Sequence, residues 1–152
     1  MRVWRVCARR HAAFDGEGAR RYAGRWNHRG TRVVYTSGSV ALAALEYFVH
    51  LDTDLLPPDL ALIPADMPED VAIRQVAARA LPRNWRDFPA PEALQDLGTT
   101  WARRGATAVL GVPSAVVPHE RNYLLNPAHP DFRRVRVHAP EPFSFDPRLW
   151  KR

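Results

Sequence analysis

The sequence predicts an α+β protein that folds as one compact domain. The chain has 152 residues, which is the usual length of a single domain. Short runs of β-forming residues outnumber the helical patterns, and the two do not alternate regularly as a doubly wound α/β fold requires. No repeat, low-complexity segment or linker divides the chain, so the predicted domain spans residues 1–152.

Six segments rich in β-forming side chains are predicted to be strands. They are residues 3–7, 32–36, 60–65, 107–112, 121–125 and 133–138. The third contains Pro64, which cannot donate a backbone hydrogen bond, so we expect that strand at an edge of the sheet. Residues 71–76 fit either a strand or one helical turn. Residues 8–31 lack apolar periodicity and are predicted to form a loop.

Two segments are predicted to be helices. The first follows the cap-forming residues 37–39 and runs to about His50. Its apolar stripe consists of Leu42, Leu45 and Val49, widened by alanines and Phe48. We therefore expect this helix to be buried on most sides. The second covers residues 91–104, with acidic residues early, arginines late and Gly105 after its end. The tail is expected to pack through Phe143, Phe145 and Trp150.

The composition indicates a protein of the cytoplasm with an uneven charge. Residues 1–32 carry nine arginines and two acidic residues, residues 33–73 carry seven acidic residues only, and the rest carries thirteen basic and seven acidic residues. Arginine binds phosphate and carboxylate groups through paired hydrogen bonds, although a GC-rich genome would also enrich it. No run of residues suits a membrane span or a secretory signal. The single cysteine, Cys7, excludes an internal disulfide and is expected to be a buried thiol.

The segment Gly24–Glu46 concentrates polar groups in a way that a minimal core does not require. Arg25 lies in a loop beside a glycine, which lets backbone or ligand approach closely. Tyr35 ends an apolar strand, and Glu46 is the one carboxylate of an apolar helix, where glutamate is rarely buried unless it is paired. These features predict a site for an anionic, sugar-containing ligand. The alternatives are an Arg25 stacked on Trp26, a Tyr35 that fills the core and a Glu46 that faces solvent.

Ser114 is a further candidate, from the second half of the chain. It follows the strand 107–112 and lies between two prolines, which stiffen the backbone around its hydroxyl. The alternative is a serine that only closes a turn. His119 and His129 lack a third ligand at metal-site spacing, so no metal is predicted. The motifs of P-loops, serine hydrolases, zinc proteases and dinucleotide-binding folds are absent.

Taken together, these residues resemble the RES domain, the toxin half of bacterial RES–Xre toxin–antitoxin pairs. The resemblance covers nearly the whole chain through VWRV, GARRYAGRWNHRG, VVYTSGSVALAALE, LPRNW, GTTWARRG and VPSAVVPHERNYLLNPAHPDF. The family is named for its arginine, glutamate and serine, which fall on Arg25, Glu46 and Ser114. Its tyrosine falls on Tyr35, and Arg5 matches a recurrent arginine of the opening strand.

The resemblance implies a fold similar to the diphtheria-toxin-like ADP-ribosyltransferases, with NAD as a substrate and no cofactor or metal. Family members cleave the nicotinamide–ribose bond of NAD by hydrolysis or phosphorolysis, and some transfer ADP-ribose to a protein. The implied partner is an Xre-family helix-turn-helix antitoxin that covers the active site and supplies the DNA binding. Inorganic phosphate as a second substrate and a homodimer within the complex stay open.

The residues matched by the resemblance can then be given roles. The expected catalytic set is Glu46, Arg25, Tyr35 and Ser114, and the expected NAD-binding set is Arg5, Arg25, Tyr35 and Asn122. Arg25 would bind phosphate with Arg5 near it, and Tyr35 would border the ribose that carries nicotinamide. Glu46 would stabilise the cationic ribose or activate the attacking group. Ser114 would either bind the nicotinamide amide or orient Glu46.

Two rival functions are compatible with parts of the sequence. A protein ADP-ribosyltransferase would keep the same residues and differ only in the group that accepts ADP-ribose. A nucleic-acid-binding toxin would account for the basic ends of the chain, but it gives Glu46 no role.

Overall fold

The structure is a computed structural model that describes residues 1–52 and 59–150. Within these residues eight strands form one sheet. They are β1 (Arg2–Ala8), β2 (Val34–Ser37), β3 (Leu60–Asp66), β4 (Ile73–Gln75), β5 (Val109–Pro113), β6 (Arg121–Leu125), β7 (Arg136–Val137) and β8 (Glu141–Phe143). Their spatial order is β4-β5-β6-β2-β1-β3-β7, and β8 also pairs with β3. The β4–β5 pair is parallel, and the other pairs of described strands are antiparallel.

In the described part of the chain three α-helices accompany the sheet: α1 (Glu17–Arg21), α2 (Val40–Phe48) and α3 (Glu92–Arg104). Ser39 caps α2, since its hydroxyl oxygen accepts a hydrogen bond from the backbone N–H of Leu42 at 3.1 Å. Gly105 ends α3 in the left-handed conformation, with a φ of 61°. Helices and strands do not alternate regularly along the chain, so the predicted α+β class is confirmed.

The expected edge position of β3 is wrong. This strand pairs with β1 along its whole length and with β7 and β8 on its other side. The carbonyl of Pro64 accepts from the backbone N–H of His138 at 2.9 Å, so the backbone of Pro64 faces the β7–β8 side. Because β7 and β8 are short and flank this position, the proline is tolerated inside the sheet: its missing N–H falls where they leave a gap.

Two further local predictions need correction. Residues 8–31 contain a 3-10 helix, Arg9–His11, and the short helix α1 within the predicted loop. Of the predicted strand 133–138, only β7 is a strand, and the first two residues of the predicted segment belong to a 3-10 helix, Pro130–Arg134. The undecided segment 71–76 contains β4, whose parallel pairing with β5 could not be read from its short apolar pattern.

The sheet is buried on both faces where β5 and β6 lie. Leu110, Val112 and Leu124 pack against α3 and three buried tryptophans. Their neighbours Val109 and Leu125 point the other way and join a second apolar cluster. Successive side chains of a strand point to opposite faces, so a strand covered on both faces has a continuous apolar sequence.

The helix α2 is less buried than its composition suggested. Leu42 is fully buried, but Leu45 and Val49 are 39% and 55% exposed, so the predicted stripe does not face the core as a unit. In the tail, Phe145 packs on Phe48 of α2 with ring centroids 5.6 Å apart. Phe143 contacts Phe145 edge to face at 5.2 Å, which confirms that part of the predicted packing. The contact expected of Trp150 lies outside the described side chains.

Candidate active site

The loop that carries Arg25 is held together by a buried asparagine. The side-chain oxygen of Asn27 accepts from the hydroxyl of Tyr35 at 2.6 Å and from the backbone N–H of Gly24 at 3.1 Å. The same hydroxyl of Tyr35 accepts from the backbone N–H of Trp26 at 3.1 Å. A Cβ at Gly24 would lie 2.6 Å from this hydroxyl, so only glycine fits there. The close approach expected at this glycine is therefore to a side chain of the protein itself.

The same loop is seated on one face of α3. Trp26 is 2% exposed and packs into the core, which removes the alternative of a surface tryptophan under Arg25. A Cβ at Gly98 of α3 would lie 1.8 Å from the carbonyl oxygen of Trp26, so helix and loop touch backbone to backbone. Thr99 accepts from the backbone N–H of His28 at 2.9 Å, and Gln95 donates to the carbonyl of Gly24 at 3.1 Å. The helix thereby sets the position of the Arg25 backbone.

Arg25 is half-buried, and only some of its hydrogen-bond donors are used within the protein. One terminal nitrogen, Nη1, donates to the carbonyl oxygens of Trp85 and Asp87 at 2.8 and 3.0 Å. Burial lowers the pKa of this guanidinium, and the nearby carboxylate of Glu46 acts in the opposite direction. The two charges therefore lie within electrostatic range, with the other donors of the guanidinium left for a ligand.

Glu46 projects from α2 to the end of the β5–β6 pair. Its Oε1 accepts from the hydroxyl of Ser114 at 2.7 Å and from the amide nitrogen of Asn122 at 2.6 Å. Both are short, charge-assisted hydrogen bonds to the same carboxylate oxygen. Among the described residues, no hydrogen-bond donor is recorded for the other oxygen, Oε2. The carboxylate is thus fixed through one oxygen, and the second oxygen is left for a ligand. Glu46 is therefore not a glutamate that only faces solvent.

Ser114 has no hydrogen-bonding capacity left for a substrate. The residue is fully buried, and its oxygen accepts from the backbone N–H groups of Val116 and Val117 at 3.1 and 2.9 Å. A hydroxyl offers one donor and two acceptor positions, and the bond to Glu46 uses the donor. Of its two expected roles, the geometry supports the orientation of Glu46.

Tyr35 lies between the loop of Arg25 and the carboxylate of Glu46. Its ring is half-buried and packs against the cluster of tryptophans, while its hydroxyl is committed to the Arg25 loop. Burial raises the pKa of this hydroxyl well above its usual value. The partly exposed ring is therefore the portion of Tyr35 that can contact a ligand, and the expected border on a ribose stays a prediction.

Arg5 does not join the other candidates. Its neighbour Trp4 is paired with Ser37, which is paired in turn with Asn122, so Arg5 points to the opposite face of the sheet from Asn122. Its guanidinium donates to the carbonyl of Ala13 at 3.1 Å and lies 5.8 Å from the ring of Phe14. The structure thus gathers five of the six predicted residues and places the sixth on the far face.

Two residues of the site were not expected from the sequence, Ser37 and Asn27. Ser37 is 4% exposed and donates from its hydroxyl to the side-chain oxygen of Asn122 at 2.8 Å. Its position two residues after Tyr35 on β2 puts both on one face of the strand, which is a signal that the sequence does contain. Asn27 stands beside Arg25 in the GRWN motif, and the structure adds its role in the site through hydrogen bonds with Gly24, Ala19 and Tyr35.

A model of the RES domain family matches residues 2–146 of the chain. A protein of Yersinia enterocolitica called Toxin Res is 40% identical over 152 residues, which cover 98% of this chain and 99% of the relative. A Sphingobium protein called Prs ADP-ribosylating toxin is also 40% identical, over 96% of this chain and 94% of its own.

Similarity also extends to a solved structure, the MbcT–MbcA toxin–antitoxin complex of M. tuberculosis. A chain of that complex superposes with a TM-score of 0.76 at 18% identity, covering 94% of this chain and 84% of its own length. At that identity the likeness concerns the fold, and it supports the fold that the sequence resemblance implied. No helix in the described part of this chain is long and apolar enough to cross a membrane.

Proposed function

Because the chain belongs to the RES domain family, we propose that it is the toxin of a bacterial toxin–antitoxin pair and cleaves the nicotinamide–ribose bond of NAD. One observation carries this proposal: the Glu46 carboxylate is clamped through Oε1 and lies within electrostatic range of the Arg25 guanidinium. A fixed anion beside a cation with free donors suits a substrate that combines a pyrophosphate with a ribose about to become cationic.

The proposed reaction needs no group beyond the substrates and these side chains. The C1′–N bond breaks, its electron pair leaves with the pyridinium nitrogen, and nicotinamide departs neutral while the ribose becomes an oxocarbenium ion. Oε2 of Glu46 stabilises that cation, and Arg25 holds a phosphate of the ADP portion. An oxygen of water or inorganic phosphate then bonds to C1′, and a water nucleophile loses one of its two protons to the solvent. The products are ADP-ribose or its 1-phosphate.

The decisive experiment compares Glu46→Gln with the parent protein in nicotinamide release from NAD. We expect kcat to fall by about 10²–10³, the range for loss of one preorganised electrostatic group. Glu69→Gln, at an exposed glutamate, is the matched control and should retain the parental rate. A Glu46→Gln protein that released nicotinamide as fast as the parent would remove the basis of the assignment.

Protein ADP-ribosylation is the second candidate, favoured by the name of the Sphingobium relative. It requires the same cleavage and differs in the nucleophile that bonds to C1′. Incubation of the protein with a cell lysate and NAD labelled in the adenylate portion separates the two. Label fixed to a protein supports transfer, whereas free ADP-ribose or its phosphate supports NAD breakdown. Omitting phosphate from the same assay distinguishes hydrolysis from phosphorolysis.

We also propose that an Xre-family antitoxin covers this site. Leu45, Val49 and Phe88 are 39%, 55% and 81% exposed, and the ring of Phe88 lies 6.4 Å from that of His50 at the end of α2. The loop of Phe88 also binds Arg25 through the carbonyl of Asp87, so this apolar surface adjoins the candidate site.

Aspartate at exposed positions of that surface tests the interface. Leu45→Asp and Val49→Asp should weaken co-purification with the antitoxin by more than tenfold in retained complex, since each places a charge against an apolar partner. Val137→Asp, a substitution of another exposed apolar residue on β7, is the control. Equal retention of all three variants would contradict this placement.

Nucleic-acid binding by the isolated chain is less well supported. Within residues 1–32, five arginines form salt bridges with carboxylates of the same chain. They are Arg2 with Asp66, Arg9 with Asp59, and Arg20, Arg21 and Arg32 with Glu17. A basic surface neutralised in this way offers fewer free cations to phosphates than the sequence suggested.

A further inference from the structure

We infer that Ser37 is a positioning residue that fixes the orientation of the Glu46 carboxylate towards the substrate. Its role follows from a chain of two hydrogen bonds on one face of the sheet. The hydroxyl of Ser37 donates to the side-chain oxygen of Asn122 at 2.8 Å. The amide nitrogen of Asn122 then donates to Oε1 of Glu46 at 2.6 Å.

The first link and the Glu46 carboxylate together set the orientation of the Asn122 amide. A carboxylate can only accept hydrogen bonds, so the nitrogen of Asn122 must face Glu46 and its oxygen must face Ser37. If the amide rotated by half a turn, its oxygen would lie against the carboxylate, and the two acceptors would repel. The Ser37 hydroxyl opposes that rotation, because it donates to the oxygen and is itself 4% exposed.

The second link leaves the carboxylate oxygens of Glu46 inequivalent. Oε1 receives one donor from Asn122 and one from Ser114, whose backbone contacts fix it independently. With Asn122 correctly oriented, rotation of the carboxylate is blocked on both sides, and Oε2 is the oxygen left for the reacting ribose. Without Ser37, one of the two clamps loses its orientation. The catalytic consequence of this inference rests on the proposed NAD cleavage. The hydrogen-bond geometry at Ser37, Asn122 and Glu46 does not depend on that proposal.

The chain offers a matched control in the adjacent residue, Thr36. It is 3% exposed and lies on the same strand, but its hydroxyl donates to the carbonyl of Tyr123 at 2.7 Å on the other face of the sheet. Thr36→Val therefore removes a hydroxyl of equal burial without touching the Asn122–Glu46 link. Any general effect of losing a buried hydroxyl from β2 should appear in both variants.

The kinetic test is a double-mutant cycle on nicotinamide release from NAD. Ser37→Ala is expected to lower kcat about tenfold with little change in KM, as loss of one orienting hydrogen bond would. In an Asn122→Ala background the same substitution should have no further effect, because Ser37 acts through Asn122. A tenfold loss in both backgrounds, or equal losses for Ser37→Ala and Thr36→Val, would overturn the inference.

A second measurement uses no NAD and separates this inference from the proposed function. In the NMR spectrum, the side-chain amide protons of Asn122 are assigned by their absence in Asn122→Ala. Ser37→Ala should shift them, whereas Thr36→Val should leave them in place. Unchanged resonances in Ser37→Ala would refute the role of Ser37, while parental protein that left NAD intact would refute only the proposed function. If Ser37→Ala does not fold, Ser37→Cys, with its weaker donor, carries the same comparison.

Discussion

The contact between α3 and the Arg25 loop makes a single methyl group a sharp test of the site. Gly98 lies inside α3, where alanine would ordinarily be preferred by about 1 kcal/mol. Here the added Cβ would lie 1.8 Å from the carbonyl oxygen of Trp26, and real Cβ atoms essentially never come closer than 3.0 Å. Gly98→Ala therefore forces loop and helix apart by about 1.2 Å, the difference between these two distances.

The expected effect has two parts. Overpacking of this kind costs about 1–3 kcal/mol, of which the helical preference for alanine offsets about 1 kcal/mol. The free energy of unfolding should thus fall by up to about 2 kcal/mol, or roughly 4–8 °C in Tm. Nicotinamide release should suffer more, since displacing Arg25, the proposed phosphate-binding group, by about 1 Å can cost on the order of 10² in rate. Arg25 immediately precedes Trp26 in the loop that must move.

Urea unfolding and nicotinamide release measure the two parts separately. Gly18→Ala is the control, because a Cβ at this position in α1 has no neighbour within 4 Å and should leave stability equal or slightly higher. If Gly98→Ala were as stable and active as Gly18→Ala, the backbone contact between α3 and Trp26 would not exist as described. In that case α3 would not set the position of Arg25.

Three other predictions follow from the same structure. Ser114→Ala should lower kcat and also destabilise the fold by about 1–3 kcal/mol in urea unfolding, because two backbone N–H groups lose their acceptor; unchanged stability would contradict this. Hydrogen bonds from arginines, that of Arg20 foremost, lower the pKa of Glu17 to about 2 from 4.5. The stabilisation of the folded state by the ionised Glu17 is therefore complete above pH 4.5 and is lost as the pH falls towards 2. Glu17→Gln should accordingly unfold at lower urea than the parent at pH 7 but not at pH 2, and a constant difference would refute the linkage. Burial raises the pKa of the Cys7 thiol, so thiol reagents at pH 7 should label it slowly in the folded protein and rapidly in urea; equal rates would show that it is accessible.

The most reliable sequence predictions concerned elements whose patterns are local. The helix 91–104 has its charges and its terminating glycine in the chain itself, and the structure has α3 at Glu92–Arg104. The strand 121–125 coincides with β6. Predictions failed where another part of the chain decides the outcome. Pro64 suggested an edge strand, but β7 and β8 pair on either side of the position where its N–H is missing.

The candidate site shows the same difference between features that the local sequence predicts and features that the tertiary structure decides. Residue types and motif spacing identified Arg25, Tyr35, Glu46 and Ser114 as candidates, because the proposed binding of a phosphate and a cationic ribose would use such groups. The tertiary structure alone decided their arrangement. Glu46 meets Ser114 and Asn122 across separations of 68 and 76 residues, which no local pattern encodes.

The exclusion of Arg5 and the inclusion of Ser37 have the same physical reason. Both are polar residues of neighbouring strands, and the sequence does not contain the register between those strands. The pairing of Ser37 with Asn122 places these two side chains on one face of the sheet, and the pairing of Trp4 with Ser37 leaves Arg5 on the opposite face. A shift of one residue between β1 and β2 would bring Arg5 onto the face of Ser37 and Asn122. The sequence by itself determined the chemical groups of this protein, and sheet register decided which of them share a site.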